Sequence, residues 1–312
     1  MVDRKRSGRA RRWIGGGLLG GLLLGGATAG YAYAIEPRRL QVARFCLAVP
    51  GLPPELEGLR LAHLTDFHVG MAGTRRSILR RAVAAALADR PDLVALTGDF
   101  THDGRWRRGA ALFADLAAAA PTFAVLGNHD HLASRGATDR IVGALTAQGV
   151  RVLANEHFAV PVRDGAGEVL VVGVDDPHLG FDDLPDALAG ADDRPSVPAI
   201  LLGHVPDIVE KAPPGRFALT LAGHTHGGQI RLSPLKRFTW LELPMIAGDL
   251  DSHYPRGAHL VNGNPLYVSN GLGVSGVPFR FLAPPQIALF AFTGAVDEEK
   301  GEDEVGRYVT GA

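Results

Sequence analysis

The sequence predicts an α/β fold that includes a second sheet with antiparallel edges, and two patterns support this prediction. Short apolar runs rich in Leu, Val and Ala alternate with amphipathic stretches, which is typical of strands that alternate with helices. Two later apolar runs, residues 266–269 and 286–292, follow one another without a helical stretch between them. The 40 glycines and 21 prolines among 312 residues show no three-residue repeat, so a collagen-like chain is excluded and many turns are expected.

The spacing of apolar residues assigns the elements in chain order. Residues 77–88 carry apolar side chains three or four positions apart and are predicted to form a helix. An alanine-rich stretch predicts a helix at 110–119, and a third helix is predicted at 139–148 because Gly149 follows it as a stop signal. Strands are predicted at residues 59–65, 93–97, 122–126, 168–174, 197–202, 217–221, 266–269 and 286–292.

The first 35 residues predict a membrane or export segment. Residues 1–34 contain six basic residues and one acidic residue, and residues 13–35 contain no charge over 23 positions. A helix of this length spans a bilayer, and the basic residues would hold the N-terminus in the cytoplasm and the remaining chain outside the cytoplasm. A single-pass anchor in the cell membrane is the preferred interpretation. A cleaved signal peptide followed by export is the alternative, because residues 32–34 match an Ala-x-Ala site.

Composition divides the chain further. We expect residues 1–12 to be a basic cytoplasmic segment, residues 13–35 to be the anchor or signal, and residues 36–58 to be a proline-containing tether and first strand. Residues 59–293 form the main domain, and the acidic segment 294–312 is predicted to be a disordered tail.

Outside residues 1–34 the chain has 26 basic and 32 acidic residues, a net charge of −6, and this charge argues against a nucleic-acid partner.

Side chains that can bind metals follow the predicted strands. The single cysteine, Cys46, excludes a disulfide and a four-cysteine zinc site, so a metal would be held by His and carboxylate groups. The carboxyl ends of strands in an α/β fold meet in one crevice, and residues two positions apart in an extended segment point the same way. The candidate ligands are Asp66, His68, Asp99, Asn128, His204, His224 and His226. A glycine precedes Asp99, Asn128, His204 and His224 and would permit a sharp exit from the strand.

Five motifs occur in a fixed order: Asp66-x-His68, Gly98-Asp99, Gly127-Asn128-His129-Asp130, Gly203-His204 and Gly223-His224-Thr225-His226. In this order they resemble the calcineurin-like metallophosphoesterase superfamily over about residues 58–293. The extended run Gly-His-Thr-His-Gly-Gly-Gln at residues 223–229, together with residues 173–177, 254–257 and 269–273, resembles its bacterial membrane-associated phosphodiesterase branch. That branch includes enzymes similar to those that cleave the pyrophosphate of UDP-diacylglucosamine.

The resemblance implies a four-layer α/β/β/α sandwich of two mixed sheets and a site for two divalent transition-metal ions, for which His and carboxylate ligands suit Mn, Fe or Zn. It also implies a role for His129, which would stabilise the transferring phosphoryl group or protonate the leaving oxygen, and for Asp130, which would orient His129. By the resemblance, one ion would be held by Asp66, His68, Asp99 and His226, and the second by Asp99, Asn128, His204 and His224, with Asp99 as the bridge.

The predicted function is two-metal-dependent hydrolysis of phosphoester or pyrophosphate bonds, most simply by a phosphodiesterase that acts near the membrane on a phosphorylated small molecule or lipid. Two alternatives stay open: a nucleotide phosphodiesterase or nuclease, and a non-catalytic metal-dependent binding protein on the same fold. The sequence does not predict the oligomeric state. It leaves several residues without an assigned role, namely the loop histidines His102, His131, His178 and His253, the possible anion contacts Arg135, Arg256 and Arg280, and residues 238–246, which suit either a core segment or an exposed flap.

Overall fold

The structure is a computed structural model that describes residues 21–102, 109–134, 136–191, 196–231, 253–295 and 309–311. Two sheets account for its strands. The strands are β1 Gln41–Ala48, β2 Arg60–Leu64, β3 Leu93–Thr97, β4 Thr122–Val125, β5 Arg151–Val152, β6 Glu156–Val162, β7 Gly167–Gly173, β8 Ala199–Leu202, β9 Leu219–Ala222, β10 Gly257–Val261, β11 Asn264–Val268, β12 Gln286–Thr293 and β13 Val309–Gly311. Residues 21–34 are helical, and the α-helices that follow are α1 Arg76–Ala88, α2 Ala114–Ala119, α3 Asn128–Leu132, α4 Ala137–Thr146 and α5 Leu184–Leu188.

Both sheets are mixed. The first has the order β13-β1-β12-β2-β3-β4-β5, in which β2 to β5 run parallel and β12 runs antiparallel to β2. The second has the order β10-β11-β9-β8-β7-β6, in which β11, β9, β8 and β7 run parallel and both edge strands are antiparallel. The predicted α/β class with antiparallel edges is therefore confirmed.

Three apolar layers hold the sheets and helices together. Leu61, Phe123 and Val125 of the first sheet pack against Ile200 and Leu221 of the second, so the sheets lie face to face. The outer face of the first sheet is covered by α1, α2 and α4, and that of the second by α5. This arrangement is the predicted four-layer α/β/β/α sandwich.

The predicted elements agree with the structure where the apolar pattern is strong. Strand β3 has the predicted bounds, and α1 differs from its prediction by one residue at the start. The predicted helix at 110–119 is instead a 3₁₀ turn, Ala110–Leu112, followed by α2. The edge strands β6 and β10 were not predicted, and most of their residues are only partly buried.

Strands also occur in the segments that flank the main domain. The tether contains β1, which pairs in parallel with β12 over all eight residues and so belongs to the first sheet. Residues 309–311 of the predicted disordered tail form β13, since β1 presents an unpaired edge to which this strand adds. In the part of the chain that the structure describes, no helix combines the length and the apolar character needed to cross a membrane.

Gly173, the last residue of β7, lies at a close approach of the two sheets. A Cβ there would collide with Leu153 and come within 3.0 Å of Val125. We expect Gly173→Ala to destabilise the fold by about 1–3 kcal/mol through overpacking, and to lower Tm in thermal unfolding followed by circular dichroism. Gly143→Ala is the matched control, because its Cβ meets nothing within 4 Å in helix α4. An unchanged Tm for Gly173→Ala would contradict the assigned contact.

Candidate metal centre

The predicted ligands meet at the carboxyl ends of the parallel strands. Asp66 and His68 follow β2, Asp99 follows β3, and Asn128 begins α3 three residues after Val125, the last residue of β4. His204 follows β8, and His224 and His226 follow β9. Each sheet therefore contributes loops to the same cluster, which lies where the two sheets face each other.

One half of the cluster is formed by two carboxylates and two imidazoles. One ligand atom from each of Asp66, His68, Asp99 and His226 lies within 4.8 Å of the others, and all four residues are buried. The Nε2 atoms of His68 and His226 face each other at 3.0 Å, and Nε2 of His226 lies 3.4 Å from Oδ1 of Asp66. Ring nitrogens and carboxylate oxygens that converge in this way can bind one cation, so the structure contains a metal-binding cluster.

Asp99 joins this half to the other predicted ligands. Its Oδ2 lies 3.2 Å from Nε2 of His68 and 3.2 Å from Nε2 of His204. Nε2 of His204 in turn lies 3.3 Å from Nδ1 of His224. The carboxylate of Asp99 thus lies between a histidine from the first sheet and a histidine from the second, which is where a bridging ligand would lie.

Unsatisfied buried atoms show that the cluster fits a cation. Among the described residues, Oδ1 of Asn128 is buried without a hydrogen-bond partner, although a buried amide oxygen is normally satisfied. His204 donates from Nδ1 to the carbonyl of Thr97 at 2.7 Å, which leaves its Nε2 available as a ligand. These features match the donor set that the sequence predicts for a second ion.

Burial and charge shift the pKa values of the cluster. Burial raises the pKa of Asp99, but the neighbouring His204 and His68 outweigh this effect and hold it well below its usual value. Burial lowers the pKa of His204, but Asp99 outweighs burial and raises it to about 10. Burial lowers the pKa of His224 to about 3. The proton on His204 supplies the positive charge that the buried carboxylates require, and a metal ion would replace it.

The ligands are held in an uncommon backbone conformation. The φ angles of Asp66, His68, Asp99, His224 and His226 lie between 41° and 68°, the left-handed region that residues other than glycine seldom adopt. Backbone hydrogen bonds hold these turns, including one from His68 N–H to the carbonyl of Asp99 at 2.9 Å. The sequence contained no signal for this strain.

The glycines before the ligands act mainly by leaving space. Gly98 does have the predicted left-handed φ, 82°. Gly127 has an ordinary φ of −112°, but a Cβ there would collide with Oδ1 of Asp99 and come within 2.8 Å of His204. The expectation that these glycines provide a sharp exit from the strand therefore holds for Gly98, whereas Gly127 is required by close packing.

His129 lies at the open side of the cluster. It is half-buried, its ring centroid lies 4.9 Å from that of His68, and its Nε2 lies 3.4 Å from the hydroxyl of Ser275. Burial lowers the pKa of His129 to about 4, so its imidazole is neutral near pH 7. The ring of His102 lies 5.5 Å from that of His129, so His102 belongs to the site as well.

Asp130 is buried and its carboxylate accepts hydrogen bonds from three backbone groups. Its Oδ1 accepts hydrogen bonds from the backbone N–H groups of Phe100 and Thr101, and its Oδ2 accepts one from Gly127. Both oxygens are thus used on backbone groups of the loops after β3 and β4. Through these hydrogen bonds Asp130 ties the loop after β3 to the start of helix α3, which contains His129.

Arg280 was considered as an anion contact, but the structure shows it fully buried behind the ligands. Its guanidinium donates to the carbonyls of Asn270 and Ala283 at 2.8 Å, and its Nη2 lies 3.3 Å from Nδ1 of His226. Arg280 therefore supports a ligand and does not reach a substrate. Its support of His226 was not predictable, because Arg280 belongs to none of the motifs that follow the predicted strands.

The remaining candidate residues divide between the site and other places. The ring of His178 lies 5.7 Å from that of His224, at the rim of the cluster. His131 pairs with Asp175 at 2.7 Å, and His253 pairs with Glu210 at 3.0 Å. Arg135 and residues 238–246 lie outside the described residues.

Comparison with known proteins identifies the family. A family model described as calcineurin-like phosphoesterase matches residues 59–228. The uncharacterized metallophosphoesterase YkuE of Bacillus subtilis is 29% identical over 90% of this chain and 96% of its own length. Phosphodiesterase YaeI of Escherichia coli is 28% identical over 83% of this chain and 91% of its own, and UDP-2,3-diacylglucosamine pyrophosphatase LpxG of Chlamydia trachomatis is 27% identical with the same coverage.

The family model contains all the ligand motifs that the structure brings together, from Asp66 to His226, and it spans more than half of the chain. The buried His and Asp cluster lies at the strand ends where these motifs place it. The chain therefore belongs to the calcineurin-like phosphoesterases and is a hydrolase with a metal-binding site.

Proposed function

We propose that the protein is a two-metal phosphodiesterase that acts on phosphodiester or pyrophosphate bonds at a membrane. The observation that carries the two-metal part is the position of Asp99, whose Oδ2 lies 3.2 Å from both His68 and His204. One ion would be held by Asp66, His68, Asp99 and His226, and the other by Asp99, Asn128, His204 and His224. When bound, two such ions polarise phosphoryl oxygens and lower the pKa of a water molecule for attack on phosphorus.

The residues of the chain have separate tasks in this reaction. The half-buried imidazole of His129 donates a hydrogen bond to the phosphoryl group or to the leaving oxygen. Asp130 keeps His129 in place by holding the backbone of the loops after β3 and β4. The carbonyl of Thr97 and the guanidinium of Arg280 set the orientation of two ligand rings, those of His204 and His226.

The membrane part of the proposal rests on the N-terminal sequence and on the relatives. Residues 13–35 carry no charge and follow six basic residues, which favours an anchor with the catalytic domain outside the cytoplasm. The relatives include proteins named as a phosphodiesterase and as a pyrophosphatase of UDP-2,3-diacylglucosamine. We therefore propose a substrate in which the phosphate is attached to an apolar or lipid group.

Replacement of Asp99 tests the bridging arrangement. We expect purified protein to contain two transition-metal ions per chain, and Asp99→Asn to lose most of both, because one carboxylate serves both ligand sets. Metal content is measured by plasma mass spectrometry and hydrolysis with bis-4-nitrophenyl phosphate. Asp115→Asn, on the exposed face of α2, is the matched control. An Asp99→Asn protein that keeps two ions and its full rate would exclude the bridge.

Replacement of His129 tests its role as a hydrogen-bond donor. We expect His129→Ala to lower kcat by about 10²–10³, with metal content unchanged. Because the lowered pKa leaves the imidazole neutral near pH 7, the loss should be similar for diesters with good and with poor leaving groups. His253→Ala is the control, since His253 pairs with Glu210 on the surface. A loss that is far greater for poor leaving groups would instead show that His129 protonates the leaving oxygen.

Reporter fusions test the topology. We expect alkaline phosphatase fused after Ala312 to be active, because the fusion would lie outside the cytoplasm. A fluorescent protein fused at the same position would be exported by the Sec route, and we expect it to be dark. The chain should also remain in the membrane fraction after a carbonate wash. The opposite reporter pattern would place the catalytic domain in the cytoplasm, and release by the wash with a shortened N-terminus would indicate a cleaved signal.

A further inference from the structure

Exposed large apolar side chains occur in two places among the described residues. One group belongs to the N-terminal segment, which is helical over residues 21–34. The other group is near the metal site. Exposed apolar side chains are normally scattered singly over a protein surface, so a group of them at one place needs an explanation. The first group is Leu22, Leu23, Leu24, Tyr33 and Ile35, and the second is Leu132 and Phe181.

The N-terminal segment is docked on the main domain just where its helix ends. The ring of Tyr33 packs against Phe279 with centroids 5.7 Å apart. The N–H of Arg280 donates to the carbonyl of Ala32 at 3.0 Å. The buried carboxylate of Glu36 accepts a hydrogen bond from the N–H of Ala283 at 2.6 Å. The end of the predicted anchor therefore has a defined position against residues 279–283.

The segment that receives the anchor also forms one wall of the metal site. Ser275 lies within 3.4 Å of His129, and Arg280 lies within 3.3 Å of His226. Phe279, which packs against Tyr33, is the residue directly before Arg280. Tyr33, near the end of the uncharged run, therefore contacts the residue that precedes Arg280, and Arg280 supports the candidate ligand His226.

The second apolar group lies on another wall of the same site. Leu132 is 65% exposed and ends helix α3, one turn after the ligand Asn128. Phe181 is 50% exposed, and its ring lies 4.9 Å from that of His131, which is also in α3. Since Asn128 and His129 are the half-buried members of the cluster, these side chains border its accessible edge.

We infer that Tyr33, Ile35, Phe279, Leu132 and Phe181 form an apolar rim that rests on the surface of a lipid bilayer, with the accessible edge of the metal site facing that surface. Aromatic and aliphatic side chains at the end of a spanning helix are typical of the membrane–water interface. This inference rests on the proposed function and adds to it the orientation of the metal site relative to the bilayer. The enzyme takes the phosphate of a substrate whose apolar part remains in the bilayer.

A depth measurement tests the rim. The full chain, with Cys46→Ser to remove the exposed native cysteine, is reconstituted into phosphatidylcholine vesicles. An environment-sensitive fluorophore is attached to the cysteine of the Leu132→Cys variant. The matched control carries the fluorophore on Ala166→Cys, in the exposed turn before β7, at the end of the strands away from the metal site. We expect quenching by spin-labelled phosphatidylcholine at least fivefold greater at position 132 than at position 166.

A rate comparison uses two diesters with the same reacting bond. Ethyl 4-nitrophenyl phosphate is soluble, and hexadecyl 4-nitrophenyl phosphate is held in the vesicles. For the double variant Leu132→Ser with Phe181→Ser, we expect the ratio of the vesicle rate to the soluble rate to fall at least tenfold. Leu132→Met with Phe181→Leu keeps both positions apolar and should keep the wild-type ratio.

The outcomes separate this inference from the function on which it rests. No metal-dependent hydrolysis of the soluble diester by the wild-type chain would overturn the proposed function. A chain that does not float with vesicles would overturn the anchor. Normal hydrolysis and flotation, with equal quenching at positions 132 and 166 or an unchanged rate ratio, would overturn the rim. Cross-links between the cysteines of two Leu132→Cys chains would also overturn it, because they would assign this surface to a dimer.

Discussion

The carboxylate of Asp99 is the constraint on which the rest of the structure depends. It is buried and is shared by His68 from the first sheet and His204 from the second, at 3.2 Å from each. A buried carboxylate in this position requires positive charge, which a proton on His204 or a metal ion supplies. The contact with His204 requires the two sheets to pack with their carboxyl ends aligned, because a shift between the sheets would leave Asp99 only its partners from the first sheet, His68 and the N–H of His129.

The close approach of the two sheets explains several features that otherwise look unrelated. Gly127 has no room for a side chain, because Asp99 and His204 occupy the adjacent space. Five ligand residues adopt a left-handed backbone, which is tolerated because hydrogen bonds between neighbouring loops hold it. Asp130 accepts three backbone N–H groups from these loops. Hydrogen bonds within the protein thus fix the conformation of these loops, and metal-assisted catalysis requires ligands that are oriented in this way.

The N-terminal segment is linked to the metal site through residues 280–283. Glu36 and Ala32 bind to residues 280–283, and Arg280 extends from this segment to the ring of His226. A tether that folds onto the domain, with β1 paired along β12, holds the domain at a defined distance from the end of the uncharged run. The same short segment therefore supports a ligand and receives the N-terminal helix.

The sequence alone determined the α/β class, the buried strands and the group of candidate ligand residues. These follow from local patterns: continuous apolar runs mark buried strands, and the polar residues after them mark one crevice, so Asp66 and His226 could be grouped although 160 positions separate them. Only the tertiary structure decided the rest. The pairing of β1 and β13, the unpredicted edge strands, the backbone contacts of Asp130 and the support that Arg280 gives to His226 depend on contacts between segments distant in sequence. Such contacts leave no periodic pattern in the chain, because each depends on packing and hydrogen bonding that exist only once the two sheets have come together.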